Sequence, residues 1–468
     1  MPAPRPDLVT APSRQDPVAR SASEVLGGPT GRYAVRLGRG WRWYAAVLAA
    51  VCVVPAGLNI LLQSHCIDSG WSTPDQFWHA CFSDVPATYR DAGLGEGVLS
   101  FVTGGFGAPH PTQPPLTGFV MTLLGSLVPS GSIEDRMRFY FALWAVLGAV
   151  LLALTTWWTA ASVRRFPLRA ALVALSPVVA LTLTISADIL GVALTAAALY
   201  AWSREKPVLT GVLLGLAISA RTYPVLVVVA LLLVSLRAGR LVPWARCAGS
   251  AAAVFGVILL VLGLSNSDAA FAAYRGWLSA GAGFGSPWLL PLLAGSPLSS
   301  GLVTGLAIVG WVAALATGAV LALSSPRRPG VAEVSLVMVA IVLLTGKSMT
   351  VQSAIWLVPF VALVGLAWAD ALIWSAAEAL HFEAVWLYLA GTSQPSRGLP
   401  ASWYAVFLFI RIFGLLWLVG RTWQLARGRP AVLDPDGAVV ESVWGEDESD
   451  ELAGSLRGAS DQLIVRFS

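Results

Sequence analysis

Apolar positions in this chain come as long runs separated by short polar or basic interruptions. Twelve such runs lie near residues 43–63, 139–162, 168–186, 188–203, 208–220, 222–236, 246–265, 301–324, 332–346, 352–369, 371–391 and 402–420. Several fall short of the ~20 residues that a spanning helix needs, but moderately polar flanks continue them. The pattern predicts an all-α polytopic membrane protein with about twelve transmembrane helices. One further run, "PLTGFVMTLLGSLVP" at 115–129, is short and bounded by prolines. It predicts a re-entrant or interfacial helix in the first outer region.

Basic residues mark one side of these runs. They cluster at Arg36/Arg39/Arg42, Arg164/Arg165/Arg169, Arg204/Lys206, Arg237/Arg240/Arg246, Arg327/Arg328 and Arg421/Arg427/Arg429. The positive-inside rule assigns such clusters to the cytoplasm. The expected result is a multi-pass plasma-membrane protein with both termini cytoplasmic. Residues 1–41, rich in Pro, Ser and Arg, predict a disordered leader. Residues 42–421 form the membrane domain, with a long outer loop at 64–114. Residues 422–468, with the acidic run "GEDESDE", predict a disordered cytoplasmic tail.

Composition sharpens the class. Hydrophobic residues make up 56% of the 468 and charged residues 12%, against about 25% charged in soluble domains; mean hydropathy is +0.71. The net charge of +4 reflects the basic membrane flanks. With no basic patch carrying interleaved aromatics, nucleic acid is not an expected partner. Only two of the 30 basic residues are lysines, Lys206 and Lys347. Lys206 reads as a topology anchor in a short loop; Lys347 lies in apolar sequence.

The charges inside or beside apolar runs carry the chemical signal, because a charge at the centre of a membrane helix costs roughly 2.5–3.5 kcal/mol on insertion scales. In the expected topology Asp188, Arg221 and Lys347 all fall at outer turns between short helices. An outer cavity with carboxylates and cations suits a polyprenyl phosphate, its tail among the helices and its phosphate on Arg and Lys. If that phosphate carries a sugar, a carboxylate near neutral pH can take the proton from an acceptor hydroxyl. Fixed cations stabilise the charge developing on the departing phosphate.

The segments "CFSDVPATYRDAGL" (81–94), "PPLTGFVM" (114–121), "LSPVVALTLTISADILGVALTAAALYAW" (175–202), "ARTYP" (220–224), "GFGSPW" (283–288) and "GKSMTVQSAIWLVP" (346–359) resemble successive landmarks of actinobacterial integral membrane glycosyltransferases of the C-type fold, glycosyltransferase family 87. The resemblance covers roughly 43–420. It implies inverting transfer of a sugar, often mannose, from a polyprenyl-phosphate donor to a glycolipid or cell-envelope glycan acceptor outside. It implies Asp84 as catalytic base, and Lys347, Arg221 and Arg138 as contacts to the donor phosphate. Asp188 and Gln352 are expected to orient substrate. The chain departs from the family pattern at Thr112-Gln113-Pro114, Ser186-Ala187-Asp188 and Thr350-Val351-Gln352-Ser353. Membrane lipids are the remaining expected partner, and no cofactor is called for. The rival class is a lipid or lipid-linked sugar transporter, or a non-catalytic envelope scaffold.

Each of these residues also has a structural reading. In "SDVP", Asp84 reads as a helix N-cap. Asp188 reads as an interfacial helix start, and Arg221 as an arginine reaching head groups. Glu378 and Arg411 read as an ion pair pinning two helices. His65, His79 and His110 share the outer loop with Asp68 and Asp75, but their spacing fits no defined ligand pattern, so no metal is expected. Cys52 and Cys247 read as free thiols in apolar sequence. Cys66 and Cys81 fall in the outer loop, where disulfides persist, and are expected to pair.

Overall fold

A computed structural model of the chain describes residues 9–10, 40–104, 111–427, 432–433, 439–440 and 451–465. The body is helical. In chain order its principal helices are α1 (Trp41–Ser69), α2 (Asp75–Trp78), α3 (Asp84–Asp91), α4 (Pro115–Gly125) and α5 (Ile133–Ser162). There follow α6 (Asp188–Ser203), α7 (Pro207–Ala220), α8 (Pro224–Arg237), α9 (Leu241–Ser265) and α10 (Ser267–Ser279). The last four are α11 (Ser300–Ser324), α12 (Val331–Thr345), α13 (Trp368–Ser393) and α14 (Ala401–Arg427). Away from the helices, Val9–Thr10 pairs in parallel with Val432–Leu433, which pairs antiparallel with Val439–Val440.

Proline writes several of the boundaries. Pro115, Pro207 and Pro224 each occupy the first helical position of α4, α7 and α8, where the missing N–H has no intrahelical partner to lose. Among the described residues, five helices are long and apolar enough to cross a membrane: α1, α5, α9, α11 and α14. Shorter apolar helices, α6, α7, α8 and α12 among them, have 14 to 16 residues. At 1.5 Å per residue these rise about 21–24 Å, less than the ~30 Å of a hydrocarbon core. The chain is therefore built as a polytopic membrane protein. With 11 residues α4 is short, as expected there.

The short helices occupy the interior and the long ones the rim. The largest buried cluster takes Trp202 from α6, Leu231 from α8, Met338 from α12 and Phe360 from the helix Val358–Val364. α9 and α11 instead turn apolar side chains outward, with Leu264 82% exposed and Val309 65% exposed. Such faces suit lipid, and a bare apolar surface of this extent is not tolerated in water. A second cluster lies under α3, where Trp71, Val85, Tyr89 and Met121 pack on Tyr140 and Trp144 of α5.

Two interior stretches are interrupted. The run 168–186, expected as one helix, is broken into Pro167–Ala170, Ala171–Ala174 and Pro177–Thr182, then a non-helical turn before α6. After α12 the chain likewise leaves the helix at Gly346 and resumes as a 3-10 turn, Val351–Trp356. Non-helical backbone at this depth is tolerated where protein supplies its hydrogen bonds.

Part of the tail, expected as a disordered segment, packs on the body. α14 runs on to Arg427, and residues 451–465 lie against the end of the body that carries the basic clusters. Glu451 accepts from the backbone N–H groups of Arg164 and Arg165 at 2.6 and 2.9 Å. Asp461 accepts from Arg237 Nε at 2.7 Å and from Arg328 Nε at 2.8 Å. Leu452 and Leu456 are buried beside these pairs. Here the segment's carboxylates meet arginines and its leucines find cover. The rest of the acidic run, and all of the leader but residues 9–10 and 40–41, lie outside the described residues.

Candidate functional site

The opposite end of the body holds a cluster built on α3, the break before α6, and the turn between α7 and α8. Ser83 has extended backbone and is the N-cap of α3, its Oγ accepting from Val85 N–H at 3.3 Å. The same hydroxyl donates to Thr184 O at 2.6 Å, and the Asp84 N–H donates to Ile185 O at 2.8 Å. The first turn of α3 is thereby fastened to the carbonyls that the broken helix leaves open. The capping role read for Asp84 belongs to Ser83, so the Asp84 carboxylate is not spent on the helix end.

Asp188 is the first residue of α6 and is buried. Its Oδ1 accepts from Ser186 Oγ at 2.8 Å and from Arg221 Nε at 2.7 Å, with Arg221 Nη2 close on the same oxygen. Its Oδ2 accepts from Trp356 Nε1 at 2.6 Å, so the second interrupted stretch meets the first at this carboxylate. Arg221 Nη1 also donates to Gln113 Oε1 at 2.9 Å and to Ala220 O at 3.1 Å. Thr117 of α4 donates to the same Ala220 carbonyl at 2.8 Å, tying the short helix to the arginine's turn. Gly191, one turn on from Asp188, makes room for the arginine stem: a Cβ there would lie 3.1 Å from Arg221 Cγ.

Asp84 opens α3 and is half-buried beside this pair. Burial, then the negative charge of Asp188, push its carboxyl up to about 6, with Arg221 opposing. A carboxylate poised there is ionised at neutral pH yet basic enough to take a proton.

The structure thus brings together Asp84, Asp188 and Arg221. Gln352 is half-buried in the 3-10 turn that carries Trp356. Two expected phosphate contacts lie differently. Lys347 Nζ donates to Trp277 O, Leu278 O and Ala280 O at 2.6, 3.1 and 2.9 Å, and sits 4.6 Å from the Trp277 ring centroid. All three ammonium donors go to the C-terminal carbonyls of α10, which lack intrahelical partners. Arg138 does the same for α1, donating from Nε to Ile67 O and from Nη2 to Asp68 O, both at 2.7 Å. Each is a cation placed at the negative end of a helix. Sequence spacing does not display this, because the carbonyls that they cap lie 67 to 71 residues away.

Cys66 and Cys81 are joined in a disulfide with a Cα–Cα distance of 5.9 Å, three residues before Asp84. Cys52 and Cys247 are buried free thiols. Arg411 pairs with Glu378 at 2.8 Å between α14 and α13, and also donates to Met349 O and Thr350 O. It thereby holds the loop that carries Lys347. That loop in turn pairs with "GFGSPW", Gly283 N–H donating to Lys347 O at 2.7 Å. Sequence reasoning passed over Ser186 and Trp356 as partners of Asp188; their one signal was position, each in an interrupted stretch. His110 lies outside the described residues.

Neither a protein-family model nor a curated protein matches the chain.

Proposed function

We propose that this chain is an extracytoplasmic-facing glycosyltransferase of the C-type fold, spanning the membrane about twelve times with both termini cytoplasmic. It transfers a sugar, mannose foremost, from a polyprenyl-phosphate donor to a glycolipid or envelope glycan. One observation carries the reading: a carboxylate whose pKa lies near 6 stands beside a buried Asp–Arg pair, at the end of the body opposite the basic loops. Asp84 accepts the proton of the acceptor hydroxyl as that oxygen attacks the anomeric carbon. The bond from that carbon to the phosphate oxygen breaks, its electron pair leaving with the polyprenyl phosphate, and the anomeric centre inverts. Arg221, oriented by Asp188 and Gln113, is the cation nearest this chemistry and stabilises the departing phosphate. Gln352 sits in the turn that brings Trp356 to Asp188.

A second reading is favoured by the two interrupted stretches, since broken helices meeting at a charged site also build transporters of lipids or lipid-linked sugars. Purified protein supplied with radiolabelled polyprenyl-phosphate mannose and membrane glycolipid separates the two. Label appearing in glycolipid supports the transferase. Donor binding and movement between leaflets of a proteoliposome without transfer supports the transporter. Neither binding nor transfer for any polyprenyl-phosphate sugar leaves the scaffold.

A further inference from the structure

The outer loop holds a second constellation that the transfer reading does not use. His65 lies in the last turn of α1, Asp75 opens α2, and His79 directly follows α2, four residues after Asp75. His65 Nε2 is 2.6 Å from Asp75 Oδ2, and His79 Nδ1 is 3.3 Å from Asp75 Oδ1. The two imidazoles stack with centroids 3.5 Å apart and planes 17° from parallel. One possible ligand atom from each of the three residues lies within 4.8 Å of the others.

We propose that His65, Asp75 and His79 bind a divalent first-row transition-metal ion, zinc foremost. Zinc takes imidazole nitrogen at about 2.0–2.1 Å and carboxylate oxygen at about 2.0–2.2 Å. Tetrahedral ligand atoms at those lengths are about 3.3 Å apart. His65 and His79 approach different oxygens of Asp75, Oδ2 and Oδ1, and the three ligand atoms lie within 4.8 Å of one another, so modest side-chain rotation brings them onto one ion. In this arrangement His65 Nε2 hydrogen-bonds the carboxylate and His79 Nδ1 the Asp75 carbonyl oxygen at 3.1 Å, so both stacked rings turn about their side-chain bonds to converge on one ion. Two imidazoles and one carboxylate select zinc and its neighbours over magnesium or calcium, which prefer all-oxygen shells. All three side chains are more than a third exposed, leaving room for water in the remaining position.

The backbone around the site is pre-assembled. His65 adjoins Cys66 and His79 stands two residues before Cys81, so the disulfide joins the two segments that supply the imidazoles. An ion here ties the end of α1 to the strap that leads to Asp84. The site is independent of the transfer reading, because it needs no glycosyl donor to be observed.

The test uses the full chain, purified in detergent with its disulfide intact and stripped with EDTA. Isothermal titration with zinc is expected to show one ion per chain, with magnesium unable to compete. His79→Gln and Asp75→Asn are each expected to weaken zinc by about tenfold or more, since even outer-shell partners are worth about 10–100-fold. His79 is exposed and Asp75 half-buried at the surface, so unfolding temperatures in EDTA should stay close to the wild type. The rise in unfolding temperature that zinc produces in the wild type should vanish in both variants. No zinc uptake by the wild type, or uptake unchanged in both variants, overturns the proposal.

Discussion

Asp188, at the start of α6, and Arg221, in the turn between α7 and α8, form a buried ion pair, with Arg221 Nε 2.7 Å from Asp188 Oδ1. Trp356 and Ser186 satisfy the carboxylate's remaining capacity, and Gln113 takes a further arginine donor. Removing one partner of such a pair leaves an uncompensated buried charge, worth about 3–5 kcal/mol. Asp188→Asn should therefore lower both the unfolding temperature and the donor affinity. Loss of transfer with both of those unchanged would instead place Asp188 in the proton chemistry.

Asp84→Asn keeps the size of the side chain and leaves the Ser83 cap in place. Turnover should fall by about 10²–10⁴-fold, the usual worth of a general base, with donor binding nearly intact. Transfer at the wild-type rate would move the base elsewhere, Asp188 being the first alternative.

The acid limb of the pH–rate profile should report Asp84. Its pKa is raised to about 6, and the base works only when deprotonated. Therefore kcat/KM should rise with pH through about 6 and level off above it. The same sign applies to folding: the folded chain holds this proton more tightly than the unfolded one, so this group's contribution to stability is lost as pH rises toward 6. A flat profile between pH 5 and 7, roughly one unit either side of that value, would remove Asp84 from the rate-limiting proton transfer.

Lys347→Ala deletes three donors from the end of α10. The capping geometry predicts a lowered unfolding temperature, with donor affinity in the folded fraction close to wild type. Thermal unfolding and donor binding measured side by side decide it. Selective loss of donor binding at unchanged stability would return Lys347 to the phosphate.

Asp461→Asn should destabilise the body by about 3 kcal/mol, because Arg237 is fully buried and loses its carboxylate. Reporter fusions after residues 165, 205, 240 and 328 should all read cytoplasm, and a fusion near residue 90 should read outside. One inversion among them would separate the basic loops from the side proposed for the tail.

Sequence alone determined the class of this protein and much of its layout. Apolar runs and proline punctuation are local quantities, so the helices, the short α4 and the basic loops could be placed without coordinates. Cys66 with Cys81, and Glu378 with Arg411, were legible because few partners of the right chemistry were available at the right depth. Asp188 and Arg221 stood out by the cost of charge in apolar sequence. Only the tertiary structure decided what each charge does, because hydrogen bonding depends on which backbone groups are left open nearby. It put Ser83 rather than Asp84 on the helix end, and gave Lys347 and Arg138 to helix C-termini far away in sequence. It drew 451–465 onto the arginines, and gathered His65, Asp75 and His79 from spacings that form no motif. Those outcomes turn on distances of 3 Å between atoms remote along the chain, which periodicity and composition do not encode.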